Sequence, residues 1–125
     1  MVSIAPVWYC TPDLTLDMGG TTRKALAAAN PSKPNALEIR KRALKFNSTS
    51  ESNGSMMRIT PLIFWARNLK DDIFAQVIRE DARLTHSSVV AQDATVVYSI
   101  AVKYLINHPG NRKLAYSKAK YLISI

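Results

Sequence analysis

The chain has 125 residues, with 47% hydrophobic and 21% charged side chains, enough for one core and too few for two ordinary ones. Seventeen Lys plus Arg against nine Asp plus Glu give a formal charge of +8, which favours a polyanionic or phosphate-bearing partner. No uninterrupted apolar run approaches the roughly 18 residues of a membrane span, the N-terminus lacks the pattern of a secretory signal, and the single Cys10 has no disulfide partner. These features point to a soluble intracellular protein, cytoplasmic or otherwise, with no membrane association.

Gly19-Gly20 precedes Thr21-Thr22-Arg23-Lys24-Ala25-Leu26-Ala27-Ala28-Ala29, a threonine cap option followed by strong helix formers. A short helix is expected to start at Thr21 or Thr22 and to stop at Asn30-Pro31-Ser32-Lys33-Pro34. A second helix is expected over Asn35 to Phe46, burying Ala36, Leu37, Ile39, Ala43 and Leu44. Basic residues fill its other face, including Arg40-Lys41-Arg42 and Lys45. Asn47 to Ser55 is small, polar and turn-forming, and feeds the apolar stretch Met56 to Ala66. Pro61 lies inside that stretch, so its first turn should be irregular.

Asp71 or Asp72 is placed to cap a helix in which Ile73, Phe74, Val77, Ile78 and Leu84 recur at helical spacing. Val89 to Ile106 reads as a long buried helix with Val90, Ala94, Val97, Ala101, Tyr104 and Leu105 inward. The turn Asn107-His108-Pro109-Gly110-Asn111 then leads into a last helix, Arg112 to Ile125, with Ala115, Ala119, Leu122 and Ile123 inward. Strand-like alternation and repeats are missing, so the fold class is all-α.

The common catalytic signatures do not occur: no phosphate-binding Walker loop, no Gly-x-Ser-x-Gly elbow and no His-Glu-x-x-His. His108 reads as an exposed turn residue. The basic clusters lack the aromatic interleaving of a single-strand nucleic-acid platform, so a basic helical nucleic-acid module is supported by net charge alone. Three stretches carry more. Ser48 to Arg58 joins small hydroxyl residues to a helix start, where backbone N–H groups suit a phosphate or diphosphate, although a plain surface loop has the same composition. Leu84-Thr85-His86-Ser87-Ser88 sets a histidine between two helices among hydroxyls, as a ligand donor or as a satisfied structural side chain. Asp17-Met18-Gly19-Gly20-Thr21-Thr22-Arg23 puts a carboxylate before a glycine turn, where capping and a functional role fit equally.

Taken in order, these stretches resemble the ADP-ribosylglycohydrolase family, which includes the dinitrogenase-reductase-activating glycohydrolases and J1 crystallin relatives. Asp17 to Leu26 matches a segment of the type Asp-x-Gly-x-Thr-Thr-Arg-x-Ala-Leu, Ser52 to Pro61 resembles Gly-Asn-Gly-Ser/Ala-Met-Arg-x-x-Pro with one residue more, and Leu84-Thr85-His86 matches Leu-Thr-His. The similarity runs from about Trp8 to the end and implies the central part of a larger all-α domain. It further implies hydrolysis of the bond between ribose C1″ of ADP-ribose and a protein side chain or small acceptor, in a site with two Mg²⁺ ions. The family's Thr-Asp-Asp and Asp-x-Asp-Thr metal motifs have no counterpart among these 125 residues. The resemblance therefore assigns no catalytic or metal residue here and marks Asp17, Ser50, Asn53, Gly54, Ser55 and His86 as substrate-binding. Ser52 stands where the family usually has glycine, which restricts the backbone beside the ligand.

The resulting expectation is an ADP-ribosylglycohydrolase portion that recognises ADP-ribose or ADP-ribosylated protein and is inactive alone. The alternative is a non-catalytic ADP-ribose-binding or structural, crystallin-like homologue. Unburied helix faces are expected to favour self-association.

Overall fold

The computed structural model describes residues 19–27, 32–33 and 35–123. Asp17, Cys10 and Ile125 lie outside them. Among the described residues there are seven helices and no strand, in agreement with the all-α reading. They are α1 (Gly20–Leu26), α2 (Ala36–Phe46), α3 (Gly54–Arg58), α4 (Thr60–Ala66), α5 (Asp71–Ala82), α6 (Val89–Asn107) and α7 (Arg112–Ile123).

The long α6 is the centre of the packing, with α3, α4, α5 and α7 set against it. Ile59, Ile63, Ala66, Phe74, Ile78, Val96 and Ile100 form the main core between them. A second, smaller core joins α1 to α2 through Ala25, Leu26, Ile39 and Ala43, with Leu84 packed on it.

Local chemistry explains most element ends. Asn35 caps α2, its Oδ1 accepting from the N–H groups of Leu37 at 3.0 Å and Glu38 at 3.3 Å. The stretch read as one helix with an irregular first turn is two helices: α3 ends at Ile59, and Pro61 lies in the first turn of α4, where its missing N–H costs nothing. Gly110 closes the α6–α7 turn at φ +81, a conformation open to glycine.

Several sequence expectations need correction. Neither threonine caps α1: it begins at Gly20, and Thr21 lies within it with its hydroxyl turned to the loop after α2. Asp71 and Asp72 make no capping bond to α5; the Asp71 carboxylate instead accepts from Lys103 Nζ at 2.7 Å and Tyr104 Oη at 2.8 Å. Leu37 and Leu44 of α2 and Ile73 of α5 are exposed, because the buried stripes run through Ile39 and Ala43 and through Phe74, Ile78, Asp81 and Ala82. In α7, Ala115 and Ala119 are buried and Leu122 partly so, but Ile123 is 70% exposed.

The largest reversal is in α6. Its interior face is Ala91, Gln92, Thr95, Val96, Ser99, Ile100 and Lys103, whereas Val90 and Leu105 face outward. The helix has the length and composition of a membrane span. Four of its hydrophilic side chains, Gln92, Thr95, Ser99 and Lys103, nevertheless point into the protein, Gln92, Thr95 and Lys103 each meeting a polar partner there, whereas Asp93 is exposed.

Candidate functional site

The three stretches singled out in the sequence converge. Asn47, at the end of α2, begins the convergence: its backbone N–H makes the last helical bond, to Ala43 O at 2.8 Å, and its own non-helical φ of −125° turns the chain out of the helix. Its buried side-chain amide then donates to Thr21 O at 2.8 Å and Thr85 O at 3.0 Å, tying α1 and the α5–α6 connection to one point.

Above that point lies a cluster of hydroxyls. Thr21 Oγ1 and Ser50 Oγ are 2.7 Å apart, and Ser52 Oγ donates to Thr21 Oγ1 at 3.1 Å. Ser52 Oγ also meets His86 Nε2 at 3.0 Å. On the other side of the ring, Nδ1 is 2.8 Å from Thr85 Oγ1, which itself accepts from Arg58 Nη2 at 3.1 Å.

The donor balance assigns the imidazole tautomer: with the Ser52 proton directed to Thr21 Oγ1, Nε2–H donates to Ser52 Oγ. Nδ1 is then bare and accepts the Thr85 hydroxyl proton. A continuous chain of bonds runs from the Arg58 guanidinium through Thr85, His86, Ser52 and Thr21 to Ser50. Burial, with the nearby Arg58 charge, pushes the His86 pKa down to about 4, so the ring is neutral at pH 7.

Arg58 is held in turn by the Asp81 carboxylate, with Nη2 also donating to Asp81 O at 2.7 Å. Gly54 lies flat on the imidazole: a Cβ there would stand 3.1 Å from His86 Cε1 and 3.1 Å from Thr22 Oγ1. Ser55 points the other way, into the core. Its hydroxyl lies 2.7 Å from Thr95 Oγ1, whose own proton goes to Ala91 O, so the single Ser55 proton is spent on Thr95.

Of the residues marked from sequence, Ser50, Gly54 and His86 thus share one cluster with Ser52 between them. Asn53 stands beside it, exposed, at the N-cap position of α3 with its side chain making no capping bond. Ser55 is buried with its hydroxyl engaged inward. Asp17 lies outside the described residues. At five residues α3 has little macrodipole, so what this corner offers a ligand is hydroxyls, loop backbone and an imidazole N–H. His108, by contrast, is at the distant α6–α7 turn, exposed and stacked on Tyr104 at 5.9 Å.

The linking residues Asn47, Thr85 and Arg58 received no individual role from sequence, and Thr21 only that of a candidate helix cap. Arg58 was within reach, since it closes a matched motif. Asn47 gave only the signal of an ordinary helix-ending asparagine, because its partners come from segments 26 and 38 residues away.

A family model for ADP-ribosylglycohydrolase matches residues 4–124. The chain belongs to the ADP-ribosylglycohydrolase family. No curated protein and no solved structure gives a significant match.

ADP-ribosylglycohydrolases are generally metal-dependent. The described residues do not fit a two-metal centre: none of them form a group of three or more His, Cys, Asp or Glu side chains able to hold an ion. Glu38, Asp71, Glu80, Asp81 and Asp93 each face a Lys or Arg. Burial opposes ionisation of Asp71 and Glu80, yet bonds from Lys103 and Tyr104 to the first, and from Arg83 and Arg40 to the second, hold both carboxyls below their usual range. These carboxylates serve as ion-pair partners.

Proposed function

We propose that this chain recognises the ADP-ribose unit of ADP-ribosylated protein or of ADP-ribose on a small acceptor. In the family reaction the glycosidic bond at ribose C1″ is hydrolysed, and this segment contributes ligand contacts to that reaction. The observation that carries the reading is the meeting of the three family-matched stretches, far apart in sequence, in one bonded cluster of Thr21, Ser50, Ser52 and His86.

The cluster is chemically suited to oxygen-rich ligands. Hydroxyls both donate and accept, which matches ribose hydroxyls, and a neutral imidazole N–H donates to a phosphate or sugar oxygen. Ser50, Asn53 and the Gly54 backbone face the diphosphate and ribose, with His86 as the donor. Ser55 supports the loop from beneath. Two magnesium ions act in the complete family site, and no hydrolytic step is assigned to the residues described here.

The pairing of Glu38, Asp71, Glu80, Asp81 and Asp93 with Lys or Arg favours a second reading, a non-catalytic ADP-ribose-binding homologue. Both readings are tested by titrating ADP-ribose into the 125-residue chain while following its melting temperature, and by assaying ADP-ribosylated protein with and without Mg²⁺. A ligand at 100 times its Kd stabilises the native state by about 2.7 kcal/mol, so a clear upward shift is expected, with no Mg²⁺-dependent release of ADP-ribose. No shift at millimolar ADP-ribose would overturn recognition. Turnover abolished by a chelator would overturn the inactivity of the chain.

A further inference from the structure

We propose that Ser52 controls access to His86, its hydroxyl occupying the Nε2–H direction that a ligand oxygen takes, so that ADP-ribose binds by displacing it. The proposal rests on the ADP-ribose reading above and adds to it the step by which the site opens.

The geometry restricts where a ligand can reach the imidazole. His86 is 0% exposed, so no part of the ring meets solvent in this conformation. Its Nδ1 side is closed by the buried Thr85, which the Arg58–Asp81 pair holds in place. Gly54 leaves little space beside the ring, since a Cβ there would stand 3.1 Å from Cε1 and 3.3 Å from Nε2, and it belongs to α3, whose next residue, Ser55, is anchored on Thr95. Ser52 alone of these neighbours is an exposed loop residue, held to the ring by one bond of 3.0 Å and to Thr21 by one of 3.1 Å, and accepting a longer one from Ser50 Oγ at 3.4 Å. Rotation of its side chain frees Nε2–H and, in the same movement, the lone pairs of Thr21 Oγ1.

The exposed donor then selects its ligand. With the proton assigned to Nε2, the freed group favours an acceptor oxygen. Ser52 supplies such an oxygen internally, and a ligand must replace that bond before it gains anything.

The test compares native protein with Ser52→Ala, Ser52→Gly and Ser52→Thr by calorimetric titration with ADP-ribose, after melting curves show that each is folded. Removing one internal hydrogen bond that competes with the ligand is expected to tighten binding about two- to tenfold in Ser52→Ala and Ser52→Gly. Ser52→Thr keeps the hydroxyl and should bind like the native chain. In nitrogen-15 spectra the Nε2–H signal of His86 should move in Ser52→Ala without ligand, and in the native chain on adding ADP-ribose. Equal or weaker binding by Ser52→Ala, with native protein still binding, overturns the role of Ser52 and leaves ADP-ribose recognition standing. Absence of binding by native protein and all three variants overturns the ADP-ribose reading itself, and the Ser52 proposal with it.

Discussion

Both nitrogens of His86 are engaged and its ring is buried, so adding a proton would place a charge in a desolvated site beside the Arg58 guanidinium. The folded-state pKa of about 4 lies below the 6.5 of a free histidine. Between these values the unfolded chain binds a proton that the folded chain refuses, and stability therefore falls as pH drops from 6.5 to 4. The loss is on the order of a few kcal/mol, and urea melts at pH 7 and pH 4.5 should show it. His86→Gln should have a flatter profile over the same range. Gly54 is the neighbour with least room. Gly54→Ala forces a methyl carbon within 3.1 Å of His86 and Thr22, which should cost about 1 to 3 kcal/mol in the same melts.

Among the elements, α5 and α3 are joined by a single ion pair of consequence. Arg58 and Asp81 have side chains 14% and 9% exposed, and the guanidinium also holds Asp81 O and Thr85 Oγ1. Arg58→Met would leave the Asp81 carboxylate buried without its cation and Thr85 without its donor. Breaking a buried pair from one side typically costs about 3 to 5 kcal/mol, a large share of a domain's total, so chemical denaturation should detect partial unfolding of this variant. The exposed Lys41–Glu38 pair on α2 offers the control, since its removal should change stability by about 1 kcal/mol or less. Within α6, hydropathy could not choose a face, since both sides carry apolar residues. Polar partners decide it: Thr95 meets Ser55, Gln92 Nε2 donates to His86 O at 3.0 Å, and Lys103 reaches Leu69 O and Asp71.

For the whole molecule, many large apolar side chains among the described residues lie on the outside. Val89, Val90 and Leu105 of α6 stay in solvent, as do Leu37 and Leu44 of α2, Phe64 and Trp65 of α4, and Tyr116, Tyr121 and Ile123 of α7. Each large aliphatic group left wet forgoes roughly 1.5 to 3 kcal/mol of burial, which association can recover. Light scattering across a concentration series should therefore show self-association, increasing with salt as the +8 charge is screened. A monodisperse monomer at every concentration and salt would contradict this.

The sequence by itself determined the order of the helices and all but one of them, the stretch from Met56 to Ala66 reading as one helix where there are two, because capping residues, prolines and apolar spacing act over a few neighbouring positions. Asn35, Pro61 and Gly110 each signal a boundary that local bonding enforces. It determined the family as well, through three short segments in fixed order, and it brought forward Ser50, Gly54 and His86. Only the tertiary structure decided which face of α6 is inside, that Ser55 points into the core, and that Asn47, Arg58 and Thr85 hold the histidine in place. These outcomes depend on polar groups finding partners more than 20 residues away, and local spacing carries no information about such partners.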